Sequence, residues 1–144
     1  MKNHPLSKRT IVIGLSRLGS AIAARLSERG EDVVVIDKND DSLRKLAPTY
    51  SGYQVIGDVV DLDVLRKAGI EHAKEVVVVT DDDNVNIMAA EISAVLFQVP
   101  DVYVRLGDND KSILVDAPNI HAIYPFLLSL AEFERMREGT GNRP

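Results

Sequence analysis

Short β-branched runs without polar alternation recur along the chain, and each is followed by a stretch whose apolar residues fall at helical spacing. Unbroken apolar runs of this length are what strands buried on both faces of a parallel sheet require. Thr10 to Ile13 is the first such run. Gly14 follows, and then Leu18, Ile22 and Leu26 with the small residues Gly19, Ala21, Ala23 and Ala24 between them, a helical face able to approach a sheet closely. Gly30 stands where that helix should end in a left-handed residue. Val33 to Ile36 is the second strand. Leu43 and Leu46 mark a short helix from Asp41 to Ala47, closed by Pro48.

The alternation continues. Gln54 to Ile56 reads as a third strand. Asp61 can cap a helix through Leu62, Leu65 and Arg66, with Gly69 just beyond it. Glu75 to Thr80, with four consecutive valines, is the clearest strand, and a helix from Val85 to Phe97 follows it. Val102 to Leu106, a short helix at Lys111 to Val115, a strand at Ala122 to Tyr124 and a last helix from Pro125 to about Met136 complete the series. Six strands alternating with helices predict an α/β, doubly wound, Rossmann-like fold: a six-stranded, mainly parallel sheet with helices on both faces. The expected organisation is an N-terminal extension at 1–8, one domain over 9–137, and a disordered tail at 138–144.

The first strand-to-helix turn carries the candidate chemistry. Gly14-Leu15-Ser16-Arg17-Leu18-Gly19 places glycines at the outer positions of a dinucleotide-binding fingerprint, with Ser16 in the middle one. Gly14 allows a tight turn, Gly19 allows close helix approach, and the free N–H groups of the first helical turn favour an anionic pyrophosphate. With a Cβ at position 16, either the side chain lies aside or its hydroxyl joins the site. Asp37 ends the second strand 18 positions beyond Gly19, near the spacing at which an acid meets the ribose hydroxyls. An acid there favours NAD or an adenine nucleotide over NADP, an exclusion that Lys38 softens. A plain turn or cap is the alternative role for Asp37.

Composition narrows the class. The 144 residues are 45% hydrophobic and 27% charged, with a net charge of -5 and no basic stripe, which argues against a nucleic-acid partner. No segment reaches membrane-spanning length, and the opening MKNHPLSKR lacks the apolar core of a signal peptide. Cysteine is absent, so disulfides, thiolate zinc sites and cysteine nucleophiles are excluded. Asp81, Asp82 and Asp83 suit a helix N-terminus better than a metal, because adjacent positions do not converge on one ion. His4, His72 and His121 show no ligand spacing.

The glycine turn with its Arg17, Asp37, Gly57-Asp58, Leu65 to Ile70, Val76 to Asp82, Asn86 and Arg105 together resemble the N-terminal lobe of RCK domains, also called KTN or TrkA-N. The resemblance runs from about Arg9 to Met136. Its most telling block is GDVVDLDVLRKAGIEHAKEVVVVTDDDNVN. It implies a cytoplasmic, non-enzymatic regulatory module that binds NAD(H), AMP, ADP or ATP, assembles with copies of itself, and gates a membrane potassium channel or transporter. It also implies roles. Gly14, Ser16, Arg17, Leu18 and Gly19 would meet the phosphates, Asp37 the ribose, and Asp58 the adenine. Thr80 and Asp81 would border the far side, and Arg105 would reach a phosphate. Many relatives carry Pro-Glu at the start of the last helix, where this chain has Pro125-Phe126, so a metal-bridged dimer is not expected. That helix is broadly apolar, and burial of its excess against a second subunit is expected, with packing inside its own domain as the alternative. The rival readings are the nucleotide domain of an NAD-dependent oxidoreductase and a stand-alone redox or energy sensor.

Overall fold

A computed structural model describes residues 8–141. Six parallel strands form one sheet in the order β3-β2-β1-β4-β5-β6. They are β1 (Thr10–Ile13), β2 (Val33–Asp37), β3 (Tyr53–Ile56), β4 (Glu75–Val78), β5 (Asp101–Arg105) and β6 (Ile120–Ile123). The helices are α1 (Arg17–Glu28), α2 (Asp40–Arg44), α3 (Leu62–Lys67), α4 (Asp83–Glu91) and α5 (Pro125–Gly141). The central strands are buried on both faces, so their side chains serve two cores. Ile11, Ile13, Val34, Ile36, Val76 and Val78 pack on the α3 and α4 side. Val12, Val33, Val35, Val77 and Val79 pack on the α1 and α2 side. The unbroken valine runs thus follow from the sheet having no solvent face at its centre.

Several elements differ from the sequence expectation. The α1 face against the sheet is Gly19, Ala23 and Ser27, with Ile22 and Leu26 flanking them, while Leu18 is exposed. A Cβ at Gly19 would stand 2.0 Å from the Gly14 carbonyl oxygen, so the face against the sheet follows this line of small residues, and Leu18 lies off it. The single helix expected from Val85 to Phe97 is α-helical only to Glu91 and continues as a π turn over Ile92–Leu96. Ser93 Oγ donates to the Ala89 carbonyl, and Asn119 Nδ2 donates to the carbonyls of Ala94 and Val99, which supplies partners outside the α-helical ladder. Gln98 then reverses the chain at φ 53°. Of Lys111 to Val115, expected as a short helix, Lys111 to Leu114 belong to a 3-10 segment over Asn109–Leu114, and Val115 follows it.

The last helix also departs from expectation. It reaches Gly141, so residues 138–141 of the expected disordered tail are helical, whereas 142–144 lie outside the described residues. Residues 1–7 of the N-terminal extension, including His4, lie outside them as well. Every described α5 side chain from Phe126 to Gly139 is exposed, including Phe126, Leu128 and Phe133 at 63%, 62% and 54%. The alternative in which its apolar residues pack inside their own domain therefore fails. Among the described residues, no helix is long and apolar enough to cross a membrane.

Candidate functional site

In a doubly wound sheet, the connections leave β1 and β4 in opposite directions and open a crevice above the carboxyl ends of those strands. Here that crevice is a cleft of about 370 Å³. The β1–α1 turn contributes Gly14, Leu15 and Ser16, and the end of β2 contributes Asp37, Lys38 and Asn39. Asp58 and Val59 come from the exit of β3, and Thr80, Asp81 and Asp82 from the exit of β4.

The glycines of the turn are both required. Gly14 has φ 93°, and a Cβ there would lie 2.7 Å from Thr80 Cγ2 and 2.8 Å from the Thr80 backbone. At Gly19 a Cβ would stand 2.0 Å from the Gly14 carbonyl oxygen. The turn can therefore close only with hydrogen at both positions. Ser16 resolves the question of the middle glycine. It is the N-cap of α1, accepting from Gly19 N at 3.2 Å, and its hydroxyl donates to the Val79 carbonyl at 2.6 Å. The side chain lies aside, pinned to the exit of β4 at Val79. Among the described residues, no protein acceptor meets the N–H groups of Ser16, Arg17 and Leu18, which leaves the first helical turn open to an anion.

Asp37 joins two loops. Its Oδ2 accepts from Leu15 N at 2.8 Å and its Oδ1 from Asn39 N at 2.8 Å. Each oxygen retains lone-pair capacity toward the cleft. The far wall is built around Asn86, which is fully buried. Its Oδ1 accepts from Thr80 N at 3.0 Å and from Thr80 Oγ1 at 2.5 Å, and its Nδ2 donates to the carbonyls of Thr80 and Arg105 at 3.0 and 2.9 Å. Two donors on one end and two carbonyls on the other fix the amide's orientation. The residue therefore ties the exit of β4 to the end of β5. The sequence placed Asn86 in a family-like block, but nothing in its position indicated this clamp.

The acidic triplet divides into separate tasks. Asp82 Oδ1 caps α4, accepting from Asn84 N and Val85 N. Asp83 accepts from Gly107 N at 2.8 Å and Asp108 N at 3.0 Å, holding the loop after β5. Burial pushes the Asp83 carboxyl up, but those two N–H groups, with Lys111 and Arg105 nearby, hold it below the ordinary carboxylate value. Asp81 is exposed at the cleft wall.

Of the residues singled out by sequence, the structure brings Gly14, Ser16, Asp37, Lys38, Asp58, Thr80 and Asp81 to one cleft. Gly19 lies beneath the turn, in van der Waals range of the Gly14 carbonyl. Arg17 and Leu18 are exposed on α1 outside the cleft lining. The Arg105 side chain also lies outside the lining, near Asp83, and it is the Arg105 carbonyl that the clamp uses. Leu15, Asn39 and Val59 line the cleft without having been predicted. Their backbone positions, rather than their side-chain chemistry, put them there.

Comparison with known proteins agrees with this architecture. The Trk system potassium uptake protein TrkA of Streptomyces coelicolor is 40% identical over 98 residues, which cover 68% of this chain and 44% of that protein. The protein of the same name from Vibrio alginolyticus is 32% identical over 138 residues, covering 91% of this chain and 30% of that one. The chain thus spans less than half the length of these relatives. Among solved structures, the TrkA-N domain of the Escherichia coli inner membrane protein YbaL superposes with a TM-score of 0.80 at 13% identity, covering 92% of this chain and 98% of that one. The GsuK channel bound to NAD (TM-score 0.69, 17% identity) covers 86% of this chain and 22% of that one. The Shewanella denitrificans Kef C-terminal domain in its AMP-bound form (TM-score 0.68, 16% identity) covers 90% and 79%. Residues 10–125 match the TrkA-N domain model, and the chain belongs to the TrkA-N family.

Proposed function

We propose that this domain binds NAD(H) or an adenine nucleotide in the β1–β4 cleft, and that the bound nucleotide regulates a potassium channel or transporter. The observation that carries the reading is the meeting of an open helix N-terminus with Asp37, whose carboxylate is held against the glycine turn by Leu15 N. The pyrophosphate or phosphate rests on the N–H groups of the α1 turn, and the ribose hydroxyls donate to Asp37. Potassium-uptake relatives and neighbours bound to NAD and AMP support the assignment.

Regulation requires two assembly states that bind the nucleotide with different affinity, and couplings of this kind are typically about 1–3 kcal/mol. The exposed apolar side chains of α5 supply the contact between copies: Phe126, Leu128 and Phe133 become buried in a homo-oligomer that passes changes of cleft width to a membrane partner. In this reading the module sits in the cytoplasm and meets the membrane through that partner. Sedimentation tests the assembly. The wild-type chain runs as a dimer or larger and Phe133→Asp shifts it toward monomer, whereas a monomeric wild type refutes the α5 contact.

The binding test is calorimetric titration with NAD+, NADH, AMP, ADP, ATP and NADPH, for the wild type and for Asp37→Ala. Nucleotides with a free 2'-hydroxyl bind, and Asp37→Ala weakens them. At 100 times its dissociation constant, a ligand also adds about 2.7 kcal/mol of stability in a melt. Silence from all six at millimolar concentration refutes the reading. Turnover of NAD(H) with a small substrate would favour the oxidoreductase alternative.

A further inference from the structure

The charged groups lining the cleft are four carboxylates, Asp37, Asp58, Asp81 and Asp82, and one ammonium, Lys38. Three of the carboxylates are engaged by backbone N–H groups. Asp37 holds Leu15 N and Asn39 N, Asp58 holds Val60 N, and Asp82 caps α4. Asp81 differs: among the described residues it makes no hydrogen bond or ion pair, and it stands exposed at the β4 exit, in the same cleft lining as the glycine turn. Its charge is therefore uncompensated by any specific partner. Arg17 and Arg105, the cations that could have offset it, have side chains outside the lining.

We infer that Asp81 makes the cleft select nucleotides by charge, favouring AMP and NAD over ADP and ATP. This inference rests on the nucleotide reading above. An α-phosphate on the α1 turn gains the open N–H groups, and that gain is common to every member of the series. Each further phosphate adds negative charge to a cleft whose carboxylates outnumber its ammonium, and Asp81 repels it without a screening partner. NAD+ carries a pyrophosphate but also a nicotinamide cation, so its net charge is smaller than that of ADP or ATP. Asp81 leaves AMP binding nearly untouched and discriminates against what extends past it.

The test is titration calorimetry of the whole chain with AMP, ADP, ATP and NAD+, free of divalent cations, at low and at high ionic strength. In the wild type, affinity falls from AMP to ADP to ATP by about two- to fivefold per added charge, the size expected of a solvent-exposed charge pair. High salt compresses the series. Asp81→Asn flattens it by tightening ATP most, with AMP unchanged within about twofold. The control Asp63→Asn removes an exposed carboxylate on α3, outside the lining, and preserves the ranking. ATP binding as tightly as AMP in the wild type, or a ranking that survives Asp81→Asn, overturns this inference and leaves the nucleotide reading standing. Failure of all four to bind overturns both.

Discussion

Replacing Asn86 tests whether the far wall of the cleft is built as described. The residue is 0% exposed and makes four hydrogen bonds that join Thr80 to Arg105. Asn86→Ala leaves Thr80 N without an acceptor and two carbonyls without a donor. One stranded buried donor plus the lost packing costs about 2–3 kcal/mol, because water can reach the half-exposed Thr80 side and rescue part of the network. For a chain of this size that lowers the midpoint of thermal unfolding by roughly 6–12 °C. Asn86→Asp is the sharper probe. Its first oxygen keeps the two bonds from Thr80, while the second faces the carbonyls of Thr80 and Arg105 unless it carries a proton. Burial and those carbonyls raise the introduced carboxyl's pKa in the folded state above the ordinary value of about 3.9. The stability it retains is therefore fully present below about pH 3.9 and is lost as pH rises through the folded pKa. Melts followed by circular dichroism at several pH values should show a small deficit against wild type near pH 4 that widens toward pH 7. An Asn86→Asp deficit that does not change with pH, or an Asn86→Ala loss below about 1 kcal/mol, would refute the clamp as the determinant of this wall.

Three further outcomes follow from the same geometry. Gly19→Ala must move the Gly14 carbonyl from a 2.0 Å approach, so we expect a loss of about 3 kcal/mol or more in a denaturant melt, whereas Gly30→Ala, where a Cβ meets nothing within 4 Å, costs only the strain of its positive φ. Ser16→Gly restores the middle glycine but changes nucleotide affinity by less than about twofold, since the wild-type side chain already lies aside, while Ser16→Ala loses about 1 kcal/mol of stability with its cap. Asp83→Ala releases the N–H groups of Gly107 and Asp108 and costs about 1–2 kcal/mol at neutral pH. Because the Asp83 carboxyl is held below its ordinary value, that contribution is present above the unfolded value and disappears as pH falls through the lower folded one; a difference between wild type and Asp83→Ala that grows on acidification contradicts the assignment.

What lay in the sequence was local. The valine-rich runs declared strands buried on both faces because a central parallel sheet has no polar side to record. Gly14 and Gly19 announced the turn because only hydrogen fits at φ 93° and against a carbonyl at 2.0 Å. Asp37 was legible because the end of β2 lies beside the end of β1 in any sheet of this winding, so its distance along the chain encodes its place in space. The tertiary structure decided matters that depend on what stands opposite. Asn119 meets the end of the α4 segment from 20 to 25 residues away, which no helical periodicity in Val85 to Phe97 can express. Arg105 turned out to contribute its carbonyl, through Asn86, because the direction of a side chain at a strand end is set by its neighbours across the sheet. The apolar residues of α5 read equally well as core or as contact surface in one dimension. Only the fold, which carries that helix clear of the domain, distinguishes them, since hydrophobic composition records that a face is to be covered but not by what.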